Sequence, residues 1–194
     1  MTRLSILFNT TVVFLCCTAF SSASTQMSSR EIENVKRQAL DTEELRKKIE
    51  KSAVLLANYE IEAKKLVRYA EQAGAGEKIE NQARKLMSLS EVVIDSARFR
   101  LPQCDEYLAK SIALKNELNS ISHESLEQDY HHDGALPSAP NECYHAKDLF
   151  VHPATVVVLL RDDPSLQAKT RASITAEIME VLAHTEYVRQ LVMY

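Results

Sequence analysis

The histidines of this chain are unevenly distributed, and four of them cluster between residues 131 and 152. All six follow residue 122: His123, His131, His132, His145, His152 and His184. A neutral imidazole is a ligand for Zn, Cu, Ni or Fe. The histidine cluster is therefore the main candidate for a chemical function.

A transition-metal site is one interpretation of this cluster. His131 and His132 are adjacent to a further candidate ligand, Asp133, while Glu142 and His145 are one helical turn apart and can face the same way. We hypothesise a Zn or Cu site formed by His131, His132, Glu142 and His145, with His152 as a further candidate ligand. The other interpretation is a solvated loop whose histidines bind nothing. A carboxylate-bridged di-iron centre is not indicated, because the chain has no second Glu-x-x-His pair.

Other cofactors and local catalytic motifs have little support in the sequence. Covalent haem attachment requires C-x-x-C-H, which is absent. A non-covalent haem could use His184 and a methionine such as Met87, but no spacing selects them. The chain has no G-x-S-x-G, no H-E-x-x-H and no Gly-rich phosphate loop. We therefore expect a protein that is not an enzyme.

The N-terminal segment predicts export. Residues 1–23 begin with Arg3, continue with interrupted apolar runs, and end in small residues, as in a secretory signal peptide. A spanning helix needs about 20 mostly apolar residues, and this run is shorter. We expect cleavage near residue 23 and a periplasmic or secreted product.

The cysteine count supports the same compartment. Cys16 and Cys17 leave with the signal peptide, so that the mature chain keeps only Cys104 and Cys143. An even number of cysteines in an oxidising compartment predicts a disulfide between these two residues.

The rest of the chain is predicted to be helical. Apolar residues recur at steps of three and four over about 28–73, 77–100, 102–121 and from about 164 to the C-terminus. Asp41 is a candidate bend in the first helix, and Asp163-Pro164 a candidate start for the last one. We expect a loop over about 122–140 and a short helix over 141–150 that Pro153 interrupts. The apolar run 154–160 could be a strand or a helix, and we choose helix because no other segment could pair with it as a strand.

These elements predict an all-α protein. The compact arrangement is an up-and-down bundle of about four main helices plus a short helical element, forming a single domain over 24–194. The alternative is an elongated coiled coil that forms a homodimer through the long first helix.

The net charge and the lengths of the apolar segments exclude two further classes of protein. The chain has 194 residues and a net charge of −4, which is not basic enough for a dedicated nucleic-acid binder. No segment after the signal peptide is long enough to span a bilayer. Two functions remain: an exported bundle that acts through a protein-partner or ligand-binding surface, or a small metal- or haem-binding bundle that uses residues 131–152.

Overall fold

The fold is all-α. The computed structural model describes residues 29–72 and 75–193, and within them it contains six α-helices and no strand. The helices are α1 (Ser29–Ala70), α2 (Gly76–Arg100), α3 (Asp105–Ala113), α4 (His123–Leu126), α5 (Tyr144–Asp162) and α6 (Ala168–Met193). The predicted all-α bundle with a long first helix is confirmed. The predicted signal peptide lies outside the described residues.

The chain divides into two compact units, residues 1–39 and residues 40–194. The described part of the first unit, 29–39, is helical. The second unit holds the remainder of α1 and all the other helices. Among the described residues, no helix is both long enough and apolar enough to cross a membrane.

Helix α5 lies at the centre of the second unit. Every residue from Ala146 to Val158 is buried. The helix packs mainly against α2 and α6 and also contacts α3 and α4. A helix without a polar face is stable only when other elements surround it, which explains why the apolar run 154–160 is a helix in this bundle, as predicted.

Pro153 lies inside α5 and does not interrupt it, so that prediction was wrong. A proline cannot donate the hydrogen bond that its position would otherwise give to the carbonyl four residues earlier, here that of Leu149. The Tyr59 hydroxyl on α1 donates a hydrogen bond of 2.8 Å to this carbonyl. The bundle thus supplies the donor that Pro153 lacks, and the helix continues.

Three other expectations about element boundaries also need correction. Helix α1 continues through Asp41 without a break. The segment 122–140 is helical over its first half, because the Ser122 side chain accepts the Ser125 N–H and caps α4, which leads into a π-helical turn at Glu127–His131. Helix α6 begins at Ala168 rather than at Pro164, although Asp163 still accepts the Gln167 N–H just before it.

The predicted disulfide is confirmed. Cys104 and Cys143 are bonded, with Cα atoms 5.5 Å apart. Cys104 immediately precedes α3, and Cys143 immediately precedes α5. The bond therefore joins the starts of two helices across the segment that carries α4 and the π-helical turn.

We expect Tyr59→Phe to lower the free energy of unfolding by about 1–3 kcal/mol, because it leaves the buried Leu149 carbonyl without a donor. Urea denaturation measures the change, and Tyr69→Phe on the same helix is the control. In a Pro153→Ala background, the alanine N–H can bond to Leu149 and the cost of Tyr59→Phe should shrink. An equal cost in both backgrounds would contradict this account.

Replacing Cys104 and Cys143 together by serine should lower the free energy of unfolding by about 2–4 kcal/mol, the usual effect of opening a loop of this size. The bond spans a sequence separation of 39 residues. Guanidinium denaturation compares the variant with the oxidised protein. Two free thiols in the unreduced native protein would show that the bond does not form.

Candidate metal centre

Two helices present matching stripes of ligand-type side chains to each other. On α5 the stripe is His145, Asp148 and His152, and on α6 it is Glu177, Glu180 and His184. Both stripes have the spacing i, i+3, i+7, which places their members on one helix face. The sequence order of the contacts shows that the two helices run antiparallel, because His152 faces Glu177 while Asp148 faces His184.

Two of the histidines are held by carboxylates. His152 Nδ1 lies 2.8 Å from Glu177 Oε2, and His131 Nδ1 lies 2.8 Å from Glu127 Oε2. The rings of His131 and His152 meet edge to face, with centroids 4.8 Å apart. In metalloproteins a carboxylate that binds one ring nitrogen orients the other nitrogen toward the metal. Both rings have this arrangement here.

Several buried polar atoms of these stripes have no hydrogen-bond partner within the described part of the chain. They are His145 Nδ1, both Asp148 carboxylate oxygens, His184 Nδ1, His152 Nε2 and Glu127 Oε1. Two of these residues are nevertheless within ion-pair distance of charged neighbours, since Asp148 Oδ2 lies 2.9 Å from His184 Nδ1 and Asp148 Oδ1 lies 3.2 Å from Lys147 Nζ. Buried polar groups are nearly always paired, so a concentration of such atoms without hydrogen-bond partners marks a candidate binding site.

Ligand-type side chains from these elements converge in two groups. One ligand atom each of His145, Asp148 and His184 lies within 4.8 Å of the others, and the same holds for His131, His152 and Glu180. A third, more exposed group is formed by Glu127, His131 and His132. Imidazole and carboxylate together are a common donor set for divalent transition metals.

Lys147 is the one buried cation in direct contact with these groups among the described residues. It is fully buried, and its Nζ donates to the His131 carbonyl at 2.7 Å and to Asp133 Oδ1 at 2.9 Å. The same Nζ lies 3.2 Å from Asp148 Oδ1. It therefore fixes the segment that carries His131 and balances part of the negative charge.

The loop that follows the π-helical turn is shaped to bring Asp133 to Lys147. Asp133 has a positive φ of 62°, a backbone conformation that aspartate tolerates better than most residues. Tyr107 donates a hydrogen bond of 2.8 Å to the same carboxylate oxygen. The next residue, Gly134, must be glycine, because a Cβ there would lie 2.6 Å from the Gln128 carbonyl oxygen.

The ionisation of the cluster follows from burial and from its neighbours. Burial, with help from His184, lowers the pKa of His145. Burial acts to raise the pKa of Asp148, but the adjacent His184 ring and the Lys147 ammonium outweigh it, so the pKa lies below its ordinary value. At neutral pH His145 is thus a neutral imidazole and Asp148 a carboxylate, the forms that bind metal.

The structure places the four predicted ligands in different positions. His145 belongs to the first group, His131 to both the second and the third, and His132 to the third alone. Glu142 is exposed and belongs to none of them, although it lines an open cleft beside His145, together with Tyr187. Cys143 is bonded to Cys104 and is not available as a ligand.

Asp148, Glu180 and His184 were not identified from the sequence as candidate metal ligands, nor was Glu177 identified as the carboxylate that holds His152. As a ligand, His184 was considered only for haem, whereas in the structure its Nδ1 lies 2.9 Å from Asp148 Oδ2. One feature of the sequence could have identified these residues, because the i, i+3, i+7 pattern of histidines and carboxylates occurs in both α5 and α6. This pattern differs from the Glu-x-x-His spacing that was considered for a di-iron centre.

Comparison with known proteins gave no match, since no family model, no curated protein and no solved structure is significantly similar to this chain. The chemistry must therefore be argued from the geometry of the centre.

We expect Lys147→Met to lower the free energy of unfolding by about 3–5 kcal/mol, because it leaves buried carboxylate charge without its cation. Urea denaturation of the metal-free protein measures the change. Lys64→Met, at an exposed lysine of α1, is the control and should change stability by less than about 0.5 kcal/mol. A loss below about 1 kcal/mol for Lys147→Met would show that Lys147 is not needed to balance Asp133 and Asp148.

Proposed function

We propose that this protein binds a divalent transition-metal ion, Zn²⁺ or Cu²⁺, through His145, Asp148 and His184. The observation that carries the proposal is the convergence of ligand atoms from all three residues within 4.8 Å, with the buried candidate atoms lacking hydrogen-bond partners. Bonds of about 2.1 Å to one tetrahedral ion place neighbouring ligand atoms roughly 3.4 Å apart. Ligand atoms that already lie within 4.8 Å of one another can reach that spacing through small side-chain movements.

The surroundings of this site suit a metal that also takes a ligand from solution. Three protein ligands leave at least one coordination position open. His145 borders an open cleft of about 360 Å³, and the Tyr187 ring stacks on the His145 ring at 4.4 Å between centroids. The cleft gives the ion a route in and gives water or a small ligand access to the open position.

We also propose that the protein works outside the cytoplasm, in the periplasm or after secretion. The disulfide supports this location, because such bonds persist in oxidising compartments. Export through the N-terminal segment remains a prediction from the sequence.

A partner-binding surface is the second candidate function. Val54 and Ile61 are two helical turns apart on α1, and they are 62% and 53% exposed. Exposed apolar side chains on one helix face can form a contact with another protein. The candidate receives less support than the metal site, because single exposed apolar residues are also common on surfaces without partners.

The metal-binding proposal is tested by calorimetric titration of the chelator-treated protein with Zn²⁺ at neutral pH. We expect saturable binding of Zn²⁺. Asp148→Asn and His184→Ala should each reduce the affinity of the site formed by His145, Asp148 and His184 by more than the roughly 10–100-fold typical of losing an outer-shell partner. His123→Ala is the control, since His123 belongs to none of the three groups. The proposal is wrong if Zn²⁺ does not bind, or if both variants bind it as the unaltered protein does.

A further inference from the structure

We infer that the centre holds a second metal ion, bound by His131, His152 and Glu180, so that the protein binds two divalent ions side by side. The inference rests on the proposed function, because it extends the same cluster of ligands. It is carried by its own residues, none of which belongs to the first site.

His152 provides the main observation. The residue is fully buried, and its Nδ1 is already engaged by Glu177. Its remaining ring nitrogen, Nε2, is buried and has no hydrogen-bond partner. A buried imidazole with one nitrogen fixed by a carboxylate and the other unpaired has the arrangement of a metal ligand with its outer-shell partner in place.

His131 repeats this arrangement from a different element. Its Nδ1 is engaged by Glu127, which leaves Nε2 as the ring nitrogen free to bind a metal. Its backbone carbonyl accepts hydrogen bonds from Tyr144 at 2.9 Å and from Lys147 at 2.7 Å. The backbone that positions the ring is thereby held from α5, and the ring is not left on a free loop.

Glu180 completes a set of two histidines and one carboxylate. One ligand atom of each of the three residues lies within 4.8 Å of the others. Glu180 is exposed on α6, whereas His152 is fully buried, so the set extends from the interior to the surface. An ion can therefore enter on the Glu180 side and keep water in its open positions.

The two sites are neighbours in the fold. His152 follows Asp148 by one turn on α5, and His184 follows Glu180 by one turn on α6, which separates the sites by roughly 5–6 Å along the helices. The rings of His152 and His184 have centroids 5.8 Å apart. The two ions are thus close enough to influence each other directly.

The charge of the cluster fits two divalent ions. Five carboxylates contact its histidines and Lys147 or belong to its ligand groups: Glu127, Asp133, Asp148, Glu177 and Glu180. Lys147 is the one ammonium among them. The Glu127 carboxylate raises the pKa of His131 above its ordinary value, so an ion at this site would displace a proton from that ring. With all histidines neutral in the metal-loaded protein, the excess is four negative charges, which two divalent ions would neutralise.

The number of bound ions tests the inference. Equilibrium dialysis of the chelator-treated protein against Zn²⁺ should give two ions per chain. Glu180→Gln should reduce the number to one, and so should Asp148→Asn. Glu180 is exposed, so its replacement does not threaten folding, and circular dichroism checks this for each variant. Glu186→Gln, the same substitution at another exposed glutamate of α6, is the matched control and should keep two ions.

The pattern of losses separates failure of the inference from failure of the proposed function. A single ion that Asp148→Asn removes and Glu180→Gln retains would overturn the second site and leave the first. A single ion with the opposite pattern would overturn the first site and leave this one. No bound ion would overturn both.

Loading with Cu²⁺ tests independently whether two ions lie close together. The spectroscopic change expected for Glu180→Gln would not occur if Glu180 only stabilised the fold. Two Cu²⁺ ions at this separation should give a dipole-coupled electron paramagnetic resonance spectrum, and Glu180→Gln should convert it into the spectrum of an isolated ion. An uncoupled spectrum from the fully loaded protein would contradict the adjacency of the two sites.

Discussion

The complete burial of α5 is the constraint on which the rest of the structure depends. This helix carries Lys147, Asp148 and His152 in positions that water does not reach. A buried polar or charged group is costly unless a partner is present, so the surrounding elements must supply one for each. The loop after the π-helical turn supplies Asp133 to Lys147, and α6 supplies His184 and Glu177.

The same constraint explains how α5 tolerates proline. The carbonyl that Pro153 leaves without a donor would be an unpaired polar atom at the centre of the bundle, and Tyr59 on α1 pairs with it. In contrast, His145 Nδ1 and His152 Nε2 have no hydrogen-bond partner although α6 lies beside them. The bundle thus pairs the carbonyl that Pro153 leaves without a donor but does not pair these two ring nitrogens, and this difference supports the proposal that their rings bind metal.

The all-α class, the disulfide and the helical state of 154–160 could be predicted because none of them requires knowing which helices pack together. Apolar periodicity marks amphipathic helices, and two remaining cysteines allow only one intrachain bond. The sequence also pointed to the correct region of the chain for chemistry, with His131 and His145 among the residues that the structure brings together.

The candidate residues on α6 could not be connected with the histidine-rich region without knowing how the helices pair. Glu177, Glu180 and His184 follow the histidine-rich region along the chain, and only the antiparallel pairing of α5 and α6 brings them to it. Glu142 was chosen because it lies one turn from His145, but it precedes α5 in a 3₁₀ turn and faces solvent. Pro153 was expected to interrupt the helix because proline removes a backbone donor. The donor that replaces it, the Tyr59 hydroxyl, lies 90 residues from Leu149 in sequence, so the sequence alone does not reveal it.

An anomalous difference map from crystals of the Zn²⁺-loaded protein, recorded at the zinc absorption edge, tests the central claim most directly. The account predicts one peak among His145, Asp148 and His184 and a second among His131, His152 and Glu180. Crystals in which these side chains surround no peak, or in which zinc lies only on other surface residues, would contradict it.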